Sequence, residues 1–256
     1  AFASEITRWK AGVTGCMEEM MGVINQADFE SALLDDRGQF TAGSQVLWQM
    51  NRNSSSDYGS NSVEIRLADS DGERSQANMV INRNFGARGY GSGHWLIPDR
   101  HRITFTAASA DQTFGTITLA VDRDEQLAAD KTFPDEVGEL RARPGVKLCE
   151  LTKFAFDSSA DSLPLLAALF HIVYIYGTER FACTDLLIEV NPRHVRFYEA
   201  MLGFTRMGDL RINDSVGAPS QLMHIEVARI GDQIRRHAGK TDCAKRTLYA
   251  HFFSKE

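Results

Sequence analysis

The chain has 256 residues, enough for one ordinary domain with material to spare or for two small ones. A hydrophobic share of 43% supplies one sizeable core, and a formal net charge of −6 argues against wholesale nucleic-acid binding. The longest apolar run, residues 163–176, is short and interrupted by Pro164 and His171, so no stable membrane insertion is expected.

Residues 1–10 lack a charged start followed by an apolar stretch, so no secretory leader is expected. Cys16, Cys149, Cys183 and Cys243 are scattered, which suits reduced thiols in a cytoplasmic protein better than a disulfide framework or a zinc knuckle. Residues 13–34 have a helical pattern, and residues 51–61 (NRNSSSDYGSN) read as a polar linker. The expected organisation is an N-terminal extension over 1–61, a main domain over 62–231 and a C-terminal tail over 232–256.

In the main domain, strand and helix signals alternate, the mark of an α/β or mixed sheet. Residues 63–68 predict a strand and 70–85 a helix ending near Gly86 and Gly89. Residues 102–108 and 113–122 are two β-rich runs, expected to form an antiparallel hairpin. A polar, helix-leaning insertion over 125–143 leads into a central strand at 147–157. Ser162 is a candidate cap for the next helix, with Pro164 tolerated in its first turn. That helix is apolar on most sides and is expected to be sandwiched in the core. Residues 185–190 predict a buried strand, and 192–201 a helix that stops at Gly203 in a left-handed cap. Residues 204–207 and 222–230 are expected to complete the sheet.

Residues 191–204 read NPRHVRFYEAMLGF. They resemble the last helix of GNAT N-acetyltransferases, N-x-x-A-x-x-x-Y-x-x-x-G-F, with Asn191, Tyr198, Gly203 and Phe204 taken as in register and His194 at the usual small residue. Residues 149–157, CELTKFAFD, resemble the E-x-S-R-F-x-V-D strand of autoinducer synthases and long-chain N-acyl amino acid synthases. Residues 81–93, INRNFGARGYGSG, are similar to a helix and loop of the latter group. The resemblance spans roughly residues 62–230 and implies the GNAT fold, a mixed central sheet flanked by helices. It implies an acyltransferase whose co-substrate is an acyl-phosphopantetheine thioester, with no tightly bound cofactor. Thr152 and Lys153 stand where the autoinducer family has Ser and Arg, which favours an N-acyl amino acid over a lactone as product.

By the same resemblance, Tyr198 is the acid that protonates the departing thiolate, a core tyrosine being the bland alternative, and Glu150 is the base. Thr152, on the same strand face as Glu150, is a candidate to orient the amine or a relay water. Lys153 points to the other face of a regular strand unless a bulge redirects it. Backbone N–H groups around Phe154 are candidates for an oxyanion site. Phe154, Phe156, Leu169 and Phe170 line either an acyl tunnel or a dry core. Arg88 is a candidate for the acceptor carboxylate, Asn191 belongs to the substrate-binding motif, and Glu189 is a reserve base. His94, Trp95, His171 and His194 form no ligand set, so no metal is expected.

CoA-dependent GNAT enzymes cradle pyrophosphate on a glycine-rich loop. Residues 157–164, DSSADSLP, have no glycine there, and Asp157 and Asp161 repel phosphate. An acyl carrier protein is therefore the expected partner, with CoA the alternative donor and an amino acid the acceptor. Arg83, Arg88, Arg100, Arg102, Arg141, Arg143 and Lys147 are candidates for a basic docking face. A GNAT-fold domain that binds thioesters without catalysis is the non-enzymatic alternative.

Overall fold

The computed structural model describes residues 46–51, 62–91, 93–109, 112–123, 126–156, 163–240, 242, 244 and 246–254. The helix expected over 13–34, most of the linker, the acidic loop at 157–162 with Ser162, and Cys16 and Cys243 lie outside them. The strands are β1 (Val46–Asn51), β2 (Ser62–Leu67), β3 (Arg102–Ala108), β4 (Thr113–Val121), β5 (Leu148–Phe156), β6 (Asp185–Val190), β7 (Thr205–Asn213) and β8 (Ala218–Glu226). They form one sheet in the order β1-β2-β3-β4-β5-β6-β8-β7. The helices are α1 (Asp71–Gly86), α2 (Pro134–Arg141), α3 (Leu163–Phe181) and α4 (Val227–His237).

Most neighbours in the sheet are antiparallel, and β3 and β4 form the expected hairpin. The parallel pair is β5 and β6, joined by α3, because a parallel pair needs a long crossover. A capping box starts α1: the Ser70 hydroxyl accepts the Glu73 N–H at 3.2 Å, and the Glu73 carboxylate accepts the Ser70 N–H at 3.1 Å.

The sheet has two covered faces. On the back, α3, α4 and the Leu248–His251 turn pack against Phe105, Ile117, Cys149, Leu151 and Ile188. On the front, α1 brings Val80 and Ile81 onto Ala155. Beside it, α2 and the Ala128–Lys131 turn cover Ala120, Leu148, Leu187 and Leu222. The even apolarity of α3 is explained by its place in the thick back layer, where every residue from Leu165 to Gly177 except Tyr174 is buried.

Three segments differ from expectation. Among the described residues the sheet begins at Val46, upstream of the boundary drawn at 62, because β1 pairs with β2. A register shift between Val46 and Trp48 lets the adjacent Leu47 and Trp48 both be buried. Residues 227–230 are helix rather than strand: Val227, Ile230 and Ile234 recur at three- and four-residue spacing and form the buried face of α4. Past Gly231 the chain returns to the core, where Leu248, Tyr249 and Phe252 are buried.

Candidate active site

The rungs between β5 and β6 run from Leu148–Asp185 to Leu151–Ile188 and stop, although β5 continues to Phe156 and β6 to Val190. The two strands therefore part at mid-sheet. The departure coincides with a bulge in β5. Thr118 faces Thr152 and Thr116 faces Ala155, so Lys153 and Phe154 both oppose Ile117. Lys153 takes up the extra residue in a left-handed conformation, φ 49°.

The bulge shifts the alternation by one. Before it, Cys149 and Leu151 face the back core while Glu150 and Thr152 face the front. After it, Phe154 and Phe156 face the back, where Phe154 lies 5.7 Å from Phe170, and Ala155 faces α1. Lys153 is turned away from the aromatic side, and its ammonium donates to the Trp95 carbonyl. Burial, helped by the positive charge of Arg102, holds the Lys153 pKa below the usual lysine range.

Glu150 is 1% exposed and accepts the N–H groups of Ala128 at 2.7 Å and Ala129 at 3.3 Å. Those donors favour the carboxylate, but burial outweighs them and pushes its pKa up to about 8, with the charge of Glu189 adding to the rise. Glu189 stands one residue past the last rung, half-buried. It accepts the Asn213 amide at 2.6 Å and the Ser220 hydroxyl. Thr152 is half-buried opposite Thr118, whose hydroxyl is 2.7 Å from that of Thr104. Two carboxyl groups, Glu150 and Glu189, and four hydroxyls, Thr104, Thr118, Thr152 and Ser220, thus share the front face near the parting.

Tyr198 follows β6. Asn191 caps the turn, its side chain accepting the Arg193 N–H at 3.2 Å. Pro192–His194 is 3-10, Val195–Phe197 is α, and Tyr198–Leu202 is π, ending at Gly203 with φ 76°. The GNAT pattern sets its glycine four residues after the tyrosine; here Gly203 is five after Tyr198, so the register is off by one. The π turn absorbs that extra residue. Tyr198 packs edge-on to Phe197 (5.3 Å) and Phe204 (5.9 Å), and burial raises its pKa, so it remains a neutral phenol. It belongs to the back core, whereas Glu150 looks to the front. The structure does not put the two on one face of the sheet.

The remaining candidates are dispersed. Arg88 is exposed at the end of α1 and donates to the Asn84 carbonyl (3.1 Å) and side chain (3.2 Å). Of the expected docking cations, Arg141 is held by Asp122 and Asp130, and Arg102 contacts Asp99 and donates to the Gln126 carbonyl at 2.7 Å. Leu169 is fully buried, and Phe170 lines a small apolar cavity on the back face. A wider cleft of about 280 Å³ opens beside Thr104, Arg100 and Arg102. The Glu189, Asn213 and Ser220 cluster is assembled from three strands, so no local motif marks it. Among the described residues, no group of three or more His, Cys, Asp or Glu side chains forms a metal site, and no helix is long and apolar enough to cross a membrane. Cys149 and Cys183 are free and buried.

A family model described as "N-acyl amino acid synthase FeeM" matches residues 76–226. Among solved structures, FeeM, an N-acyl amino acid synthase from uncultured soil microbes, is 26% identical, with a TM-score of 0.58 over 66% of this chain and 93% of that one. The AHL synthase LasI is 15% identical, with a TM-score of 0.44 over 64% and 89% of the two chains. An N-acetyltransferase from Staphylococcus aureus Mu50 is 11% identical, with a TM-score of 0.42 over 65% and 98%. No curated protein matches the sequence.

Proposed function

Because the chain belongs to the FeeM family of N-acyl amino acid synthases and is an N-acyltransferase with the GNAT fold, we propose that it joins a medium- or long-chain acyl group to the amine of an amino acid, taking the acyl group from an acyl carrier protein. The observation that carries this reading is the parting of β5 and β6 beyond Leu151 and Ile188. It gives a thioester arm a way into an otherwise closed sheet, between a polar front face and an aromatic back face.

The amine attacks the thioester carbonyl carbon while Glu150 takes its proton, directly or through a water held by Thr152. A carboxyl group with a pKa near 8 is matched to an amine far better than an ordinary carboxylate. Backbone N–H groups of β5 past the last rung have no β6 partner and are the donors for the oxyanion. Collapse of that intermediate breaks the carbon–sulfur bond, and Tyr198 gives its proton to the sulfur. Phe154 and Phe156 steer the acyl chain to the back, and Lys153 and Asn191 flank the arm. Arg88 binds the acceptor carboxylate after exchanging Asn84 for it.

The donor assignment rests on residues 157–164, which lack the glycines of a pyrophosphate cradle and carry Asp157 and Asp161. The test supplies one acyl group on carrier protein and on CoA, with mixed amino acids, and follows products by mass spectrometry. N-acyl amino acid is expected from both, with the carrier form faster by about tenfold or more, the scale of about 1.4 kcal/mol of docking. Equal or better rates with CoA overturn the carrier assignment, and no N-acyl amino acid from either overturns the acceptor class.

A further inference from the structure

Behind the paired rungs of β5 and β6, reaching Leu151 at the last of them and Phe170 beside Phe154, lies an apolar cavity of only about 30 Å³. That space holds little more than a water molecule, so an acyl chain passing from the gap to the back face has to displace a wall. Two kinds of wall are available. Leu151 and Leu186 are fixed in the strand ladder and Phe170 in α3. Tyr249 and Phe252, by contrast, come from the Leu248–His251 turn and the residue after it, which join no strand.

The polar ties of this turn are specific. The Tyr249 hydroxyl donates to the Leu202 carbonyl at 2.8 Å, and the Thr247 hydroxyl to the Met201 carbonyl at 3.2 Å. The Phe253 N–H donates to His171 Nδ1 at 3.0 Å, and the rings of Phe252 and Phe253 each lie 4.7 Å from the imidazole. With Nδ1 accepting, the proton of neutral His171 sits on Nε2, which is buried with no partner among the described residues. An unmet buried donor disfavours the closed arrangement and lowers the cost of opening it. The turn also lies outside residues 76–226, so this wall is not part of the span matched to the family.

We propose that the C-terminal turn is the movable wall of the acyl site, and that Phe252 and Tyr249 determine the length of acyl chain accepted. The proposal rests on the acyl-transfer reading above. Its test compares full-length wild type, Phe252→Ala, the milder Phe252→Leu and Phe252→Trp, each verified as folded by thermal melting. kcat/KM is measured for octanoyl to hexadecanoyl thioesters on one donor, and binding of the free fatty acids by calorimetry.

Each methylene newly accommodated is worth about fourfold. Phe252→Ala and Phe252→Leu are expected to raise the hexadecanoyl-to-dodecanoyl ratio, by about tenfold for Ala, and Phe252→Trp to lower it. The same shift is expected in fatty-acid binding. An unchanged length profile in folded variants overturns the wall while wild-type transfer leaves the functional reading intact. Length-dependent fatty-acid binding that shifts with Phe252, without transfer by the wild type, supports the wall and overturns the functional reading. Neither binding nor transfer by the wild type overturns both.

Discussion

At Lys153 the backbone conformation and the side chain serve separate ends. Its φ of 49° costs a non-glycine residue about 1–2 kcal/mol, and the bulge it creates redirects every side chain that follows on β5. Lys153→Val, β-branched and ill-suited to that conformation, is expected to lower stability by about 1–2 kcal/mol in urea unfolding. Lys153→Gly is expected to stay within about 1 kcal/mol of wild type, because glycine accepts the conformation freely. Equal losses in both would show that the contact to Trp95, not the backbone, holds the bulge. Glu150→Gln is expected to reduce turnover about a hundredfold, and Tyr198→Phe to slow thiol release on a similar scale with folding intact. If Glu150→Gln turns over normally while Glu189→Gln does not, the base is the carboxylate past the last rung.

At the scale of elements, β4 shows how closely the aromatic lip of the gap is built. A Cβ on Gly115 would lie 2.6 Å from Cδ2 of Phe156, a ring also set against Phe114 and Phe154. Gly115→Ala is therefore expected to cost about 1–3 kcal/mol, and Phe156→Leu in the same chain to recover part of it, read as a double-mutant cycle of melting data. Much of this architecture was legible: the β3–β4 hairpin, the buried crossover helix and the strand carrying Glu150 follow from periodicity and turn chemistry. Other parts were not. Residues 46–51 (VLWQMN) are mostly apolar, but the run is short and abuts the polar linker, and pairing with β2 is what makes it a strand. In residues 222–230 an alternating strand runs directly into a helix, and the change of period falls at Val227 without glycine or proline to mark it. The π turn was written in the sequence as one residue too many between Tyr198 and Gly203, a spacing that a loose pattern match passes over. Glu189 acquires its partners from β7 and β8, a long-range pairing that no local signal encodes.

For the whole molecule, two buried ionisable groups pull stability in opposite directions. Burial lowers His171 from 6.5 to about 3, so between those values the unfolded chain binds the extra proton and stability rises with pH. Burial raises Glu150 from 4.5 to about 8, so in that window the folded chain holds the extra proton and stability falls with pH. The two slopes oppose each other between 4.5 and 6.5, and a plateau in melting temperature is expected there, with a decline on either side. Glu150→Gln is expected to flatten the alkaline decline, gaining on the order of a few kcal/mol over wild type above pH 8; an undiminished decline would place its cause elsewhere. The separation of Glu150 from Tyr198 by the thickness of the sheet bears on kinetics as well. Amine and thioester then reach the reacting carbon from opposite faces of the gap, so both substrates can be aboard together and no enzyme-bound acyl ester has to form between two half-reactions. Initial rates plotted against each substrate should give intersecting rather than parallel lines.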